Sequence, residues 1–319
     1  MMWLYSFIFI GACLILFWSG KWLVESLSGM AKFLGWREFV IAFFVMAIAG
    51  TIPNLFVGIS SALHKIPQLS FGDVVGGNVV DLTIAVAIAT FIAKGGLPAV
   101  SRTVQTTSAF TIAVAILPIL LIFDGTLGRG DGIILIFAFF FYIAWLFSKK
   151  ERFTKIYDKD KRPVVKKFRA FLKDLGKVGL GIIGLLLAAE GIVRSATFFA
   201  QGLGVPVALI GILIVGLGNA IPEINFAIAS ARQNQNWMIL GNLMGSVITP
   251  ATLVLGIVAL ICPIEIVDFS PFAIARIFLI FSALFFFFFV RSDRQITKRE
   301  AFFLLTLYIA FVLTELLTT

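Results

Sequence analysis

Two short segments of the chain place oxygen-bearing side chains beside helix-breaking residues in otherwise apolar surroundings. The first reads Ala49-Gly50-Thr51-Ile52-Pro53-Asn54 and the second Gly218-Asn219-Ala220-Ile221-Pro222-Glu223. Proline has no backbone N–H, so it leaves a helix carbonyl without its usual partner. At membrane depth such backbone is tolerated only where it is buried in protein or lines a cavity. Freed carbonyls, and the Asn or Glu that follows each Pro, are oxygen ligands suited to hard cations.

Two further segments match them. One reads Gly72-Asp73-Val74-Val75-Gly76-Gly77-Asn78-Val79-Val80-Asp81, the other Gly241-Asn242-Leu243-Met244-Gly245-Ser246-Val247-Ile248-Thr249-Pro250. Their small residues permit close helix contact. Asp73 and Asp81 are eight residues apart, so on a helix they share roughly one face, with Asn78 nearby. A carboxylate in a membrane helix costs on the order of 2.5–3.5 kcal/mol on insertion scales, so several in one region point to a cation pathway rather than to polar packing alone. The single histidine, His64, falls in a short loop, and Cys13 and Cys262 sit in apolar runs. Neither makes a metal-ligand spacing or a disulfide framework. The sequence has no HExxH motif, no GxGxxG after a strand and no nucleophile–base arrangement, which argues against an intramembrane enzyme. No resident cofactor is expected.

The elements that must hold these residues are membrane helices. Apolar residues make up 60% of the chain and charged residues 13%, against about 25% charged in a soluble domain. Ten spans are predicted, at roughly 3–27, 38–63, 68–93, 104–123, 131–148, 177–200, 206–232, 235–261, 271–291 and 300–317. Each approaches the ~20 apolar residues that cross a hydrocarbon core. The N-terminal run lacks a charged leader and a small-residue cleavage site, so it reads as the first span rather than a signal peptide. The net charge of +9 is explained by clusters between helices and not by nucleic acid, which is not an expected partner.

Three regions follow: a first membrane repeat over 1–148, a basic loop over 149–177, and a second repeat over 178–319. The loop carries Lys149, Lys150, Arg152 and many more basic residues, so it should stay in the cytoplasm. With the loop inside, only Lys65, Arg129, Arg194 and Arg276 of the 26 Lys and Arg fall outside. Both termini then face outward, with the plasma (inner) membrane as the expected location. The loop reads as a topological anchor that also touches anionic lipid headgroups, with a regulatory role as the alternative.

The second half repeats the first at a shift of 169 residues. Ile52-Pro53 matches Ile221-Pro222, Ser61-Ala62 matches Ser230-Ala231, Gly72 matches Gly241, Gly76 matches Gly245, Thr83 matches Thr252 and Gly35 matches Gly204. With five helices in each half, the halves insert upside down relative to one another, a design that places substrate near the midplane. Lys21 aligns with Glu190 and Glu25 with Arg194, signs reversed; each half therefore predicts an ordinary i,i+4 pair.

These paired segments resemble the α-repeats of the cation/calcium exchanger superfamily, whose members include sodium/calcium and calcium/proton antiporters. Gly218 to Glu223 is similar to its Gly-Thr/Asn-Ser-x-Pro-Glu/Asp element, and Gly76 to Asn78 to its Gly-Ser-Asn element. The likeness covers nearly the whole chain and implies an all-α membrane protein of ten transmembrane helices in two inverted five-helix repeats. It implies a secondary active cation antiporter working by alternating access, with Ca2+, Na+ or H+ as cargo and membrane lipids as the other partners. Glu223 would be the central ligand. Asn54, Asn78, Asn219 and Asp73 would supply further oxygen, and Thr51, Ser246 and backbone carbonyls would complete the shell. The chain departs from the family in carrying Asn54 where an acid is usual, and Val247 where an Asn or Asp matching Asn78 is expected. Asp73 or Asp81 is positioned to compensate. Without compensation the site holds a divalent cation weakly and favours a monovalent cation or a proton. The competing reading is a degenerate homologue acting as a non-transporting scaffold or sensor.

Overall fold

The structure, a computed structural model, describes residues 1–33, 51–100, 102–148, 164–233, 236–266 and 270–318. The first half of the expected second span, with Gly35, Ala49 and Gly50, and most of the basic loop lie outside the described residues. Among the described residues nine helices are long and apolar enough to cross a membrane, and Thr51–Leu63 is a shorter apolar helix. The chain is an all-helical integral membrane protein.

In chain order the first half contains α1 (Met2–Phe33), α2 (Thr51–Leu63), α3 (Gln68–Val80) running through a π-helical turn (Asp81–Ala85) into α4 (Val86–Ile92), α5 (Arg102–Leu121) and α6 (Arg129–Ser148). Next come α7 (Val164–Leu203) and a segmented stretch of α8 (Val207–Ile210), a π-helical turn (Gly211–Val215) and α9 (Gly216–Asn219). The chain then continues with α10 (Ile221–Arg232), α11 (Asn236–Thr249), a third π-helical turn (Pro250–Val254), α12 (Leu255–Ile261), α13 (Ser270–Ser292) and α14 (Lys298–Thr318). Two-residue strands join the loops antiparallel: β1 (Leu97–Pro98) pairs with β4 (Gln295–Ile296), and β2 (Thr126–Leu127) with β3 (Ile264–Glu265).

The spans Gln68–Ile92 and Ile239–Ile261 form the centre, with 72% of each buried, while the α1, α6 and α14 spans are mostly open to the surroundings. Small residues explain how the centre closes. A Cβ on Gly76 would lie 2.0 Å from the Ile212 carbonyl oxygen, and one on Gly72 2.3 Å from that of Ala208. From the facing strand of chain, a Cβ on Gly216 would lie 2.6 Å from the Gly77 nitrogen. Only glycine lets α3 lie this close to the Val207–Asn219 stretch, and close approach brings backbone oxygens into the centre.

Among the described residues two larger apolar cores result, besides a small one around Val114, Tyr142 and Ile248. One gathers Val74, Val79, Leu82, Leu243, Val254 and Phe286 around α3 and α11; the other joins α1 and α7 through Leu16, Leu23, Leu185 and Ile192. α7 differs from the sequence expectation. The described residues are already helical at Val164, so 164–177 is helical. The physical reason lies in the sequence: apolar Val165, Phe168, Leu172 and Leu175 recur at helical spacing among the basic residues.

Candidate cation site

The break at Pro222 builds the first wall. Pro222 has no N–H to return to the Gly218 carbonyl, and α9 ends at Asn219 before α10 begins at Ile221. Glu223 therefore stands in the first turn of α10, where the exposed N–H groups of a helix end favour a carboxylate. Asn219 stands at the end of α9. Asn54 stands in the first turn of α2, one residue after Pro53.

The second wall comes from α3 and α11. A small cavity is lined by the side chains of Asn54, Asn78, Asp81, Asn219, Glu223 and Ser246, and by the backbone of Gly77 and Gly216. Glu223 is 4% exposed and Asp81 likewise, and the two are close enough for their charges to interact. Among the described residues, no Lys, Arg or His lines the cavity. Ser246 Oγ has two acceptors for its single proton, Asp81 Oδ2 at 2.6 Å and the Leu243 carbonyl at 2.9 Å. Among the described residues, Asp81 Oδ1, Glu223 Oε2 and Asn54 Oδ1 are buried acceptors without a hydrogen-bond partner. The Asn78 Nδ2 is also buried and unpartnered, and turning that amide over would put its oxygen at the same place. Buried polar groups are as a rule satisfied. A surplus of unmet acceptors around two carboxylates is what a hard cation would satisfy.

Two predicted site residues stand outside this lining. Asp73 is buried on α3, and both its oxygens lie 3.0 Å from Asn219 Nδ2. Because a carboxylate only accepts, this contact holds the amide nitrogen and leaves Asn219 Oδ1 as the end available to the cavity. Asp73 is thus a positioning residue for Asn219 and not a lining ligand. Thr51 is buried at the start of α2 without lining the cavity. Val247, at the position matching Asn78, is fully buried and also absent from the lining. Of the two candidates to replace the acid missing at Asn54, the cavity contains Asp81. The backbone of Gly77 and Gly216 was not singled out from sequence, although the run of glycines around each was the available sign.

The polar pairs on α1 and α7 differ from each other. Arg194 Nε contacts Glu190 Oε1 at 2.6 Å as expected, whereas no ion pair joins Lys21 to Glu25. Glu190 is also reached from α2, by His64 and Ser60.

Comparison with known proteins bears on the family and the fold. The chain is 24% identical to the sodium/calcium exchanger MaX1 of Methanosarcina acetivorans, covering 91% of this chain and 92% of that one. It is 25% identical to the inner membrane protein YrbG of Escherichia coli, over 82% and 81% of the two chains. Its fold superposes on the sodium-calcium exchanger NCX_Mj, soaked with Na+ and Sr2+, with a TM-score of 0.66, 22% identity and 98% coverage of both chains. The model of the sodium/calcium exchanger protein family matches residues 4–148 and 174–317, nearly the whole membrane part, and the chain belongs to that family.

Proposed function

We propose that the protein is a secondary active antiporter that exchanges Ca2+ for Na+ or H+ by alternating access, with the ion held in the cavity between α2, α3, α10 and α11. The observation that carries this reading is the pair of carboxylates, Asp81 and Glu223, in one cavity free of basic side chains and rich in unmet acceptors. Two negative charges suit a divalent ion. With no ion present, carboxylates this buried shed their charge by taking up protons, so protons and cations compete for the same oxygens. The named relatives include a sodium/calcium exchanger, which agrees with the cargo proposed.

Inverted repeats supply the two access states in this reading, and several features support them at the 169-residue shift. The π-helical turn at Asp81–Ala85 recurs at Pro250–Val254, and in each the Thr hydroxyl donates to the carbonyl four residues back: Thr83 to Val79 and Thr252 to Ile248. Gly125 and Arg294 both adopt left-handed backbone, with φ of 98° and 53°. Asp131 accepts from the Gly128 N–H as Glu300 accepts from the Thr297 N–H, the side-chain half of a capping box at each helix start. Exchanging the halves turns β2 into β4 at this shift, and turns β1 into β3 at a shift of 167 residues. The test is flux into proteoliposomes under Ca2+, Na+, K+ and H+ gradients in turn. Uptake of Ca2+ driven by an outward Na+ or H+ gradient is expected. No coupled cation flux from folded, reconstituted protein would overturn the proposal.

A further inference from the structure

The single histidine of the chain takes no part in the cation cavity, yet its surroundings are specific. α2 ends in a turn in which the Lys65 N–H reaches the Ala62 carbonyl and the Ile66 N–H reaches the Ser61 carbonyl, with Lys65 in left-handed backbone at φ 59°. This closure, a Schellman-type cap, sets the position of His64. Its Nδ1 lies 2.9 Å from the Ser60 carbonyl oxygen and its Nε2 3.2 Å from Glu190 Oε1 on α7. Ser60 Oγ donates to the other oxygen, Glu190 Oε2, at 3.2 Å. A carbonyl accepts only, and so does a carboxylate that is already held by Arg194 Nε at 2.6 Å. Both contacts are hydrogen bonds at once only when both ring nitrogens donate, as in the doubly protonated imidazolium. A neutral ring has to leave one of the two acceptors facing a lone pair.

Glu190 is faced by groups from the elements packed around it. α2 contributes Ser60 and His64, and α7 contributes Arg194. α1 meets this stretch with Ala12 and Ile8 at Gly191, and with Tyr5 stacked on Phe198. α8 is apolar throughout. Among the described residues, His64 is thus the imidazole that faces Glu190. The cluster is also one-sided. At the 169-residue shift Ser60, His64, Glu190 and Arg194 correspond to Ala229, Gln233, Lys21 and Glu25, which cannot form it.

We propose that His64 is a regulatory proton site, on the membrane face opposite the basic segment 149–177, that latches α2 to α7 when protonated and releases it when neutral. α2 carries Asn54 of the cavity, and α7 packs with α1 in an apolar core that Ile52 and Val57 of α2 also enter. A latch between them resists movement of the α1–α7 pair past the cavity helices. This consequence rests on the alternating-access reading; the proton-dependent contact itself does not.

The test has two arms. In proteoliposomes with inner pH fixed, lowering the outer pH from 8 to 5.5 should slow exchange by up to about fivefold beyond any effect of protons at the cavity. RT ln 5 is about 1 kcal/mol, the upper end for a partly exposed ion pair. His64→Gln and Glu190→Gln should each remove that component, and the double variant should remove no more than either alone. The second arm needs no transport. Because the chain has one histidine, 15N-histidine spectra at pH 5.5 contain one imidazolium, and Glu190→Gln should shift its Nε2–H while leaving Nδ1–H in place. An unchanged Nε2–H overturns the latch whether or not the protein exchanges cations. An Nε2–H that shifts, with the same outer-pH response in all variants, overturns its role in exchange.

Discussion

Asp81→Asn tests the charge of the cavity most directly. The substitution keeps side-chain size, and the new amide oxygen can still accept the Ser246 hydroxyl, which now lies 2.6 Å from the acid. What it removes is one of two negative charges in the lining. At ~4 Å and an effective dielectric near 20, a unit charge on the protein interacts with each unit of ion charge by about 4 kcal/mol. A divalent ion therefore loses about 4 kcal/mol more than a monovalent one. Competition from protons and entry of water reduce this to about 2.7 kcal/mol, or two decades in relative affinity. The measurement is Ca2+ binding by titration calorimetry on purified protein, with Na+ competition in the same preparation. Ca2+ affinity should fall about a hundredfold relative to Na+ affinity. A ratio that moves less than threefold refutes the assignment of Asp81 to the site and returns the missing acid to an open question.

Three other outcomes follow from the same structure. Glu223→Gln should abolish coupled exchange while leaving the protein folded and inserted, and the wild type should bind Ca2+ less well as pH falls, since each proton taken up by Asp81 or Glu223 removes ligand charge; flux and binding at pH 6 and pH 8 check both. Gly76→Ala should destabilise the purified protein by about 1–3 kcal/mol in thermal unfolding, because its Cβ meets the Ile212 carbonyl, whereas Gly77→Ala, whose Cβ sits 3.6 Å from the Gly216 carbonyl, should unfold near the wild-type temperature. A cysteine placed at Asp160, with Cys13 and Cys262 replaced, should resist an impermeant thiol reagent in intact cells and label after permeabilisation; labelling of intact cells would reverse the inferred orientation.

The spans were legible because lipid demands long apolar runs, and the site was legible because polar residues in such runs are costly and therefore few. Asn54, Asn78, Asn219, Glu223 and Ser246, which line one cavity, were singled out in this way. The choice between Asp73 and Asp81 was not legible. Eight residues at about 100° each leave them about 80° apart around a helix, close enough to read as one face. Only the pairing of Asp73 with Asn219, 146 residues away, and the π-helical turn starting at Asp81 separate their roles. Neither has a local sequence sign. His64 looked isolated for a similar reason, since its partner Glu190 is brought in by the packing of α2 on α7. Glu190 and Arg194 were readable as neighbours because the helix itself makes them so, and the third member of the cluster was not.

The acids of the cavity are distributed diagonally, and that arrangement bears on how the two repeats share one ion. Glu223 in the second half corresponds to Asn54 in the first, and Asp81 in the first half corresponds to Pro250 in the second. Each half therefore carries one acid of the lining, so the lining holds two. Exchanging Asn54→Glu with Glu223→Asn moves an acid from α10 to α2 and puts both acids on the first half without changing their number. If the cavity acts on the ion through summed charge, Ca2+ binding should stay within about tenfold of wild type, because a tenfold change corresponds to about 1.4 kcal/mol and the new acid stands on the same lining. Transport should suffer more than binding, since alternating access needs both halves to hold the ion in both states. Calorimetry and flux on one preparation separate the two effects. Loss of Ca2+ binding in a folded double variant would mean that the α10 break, and not the charge count, defines the site.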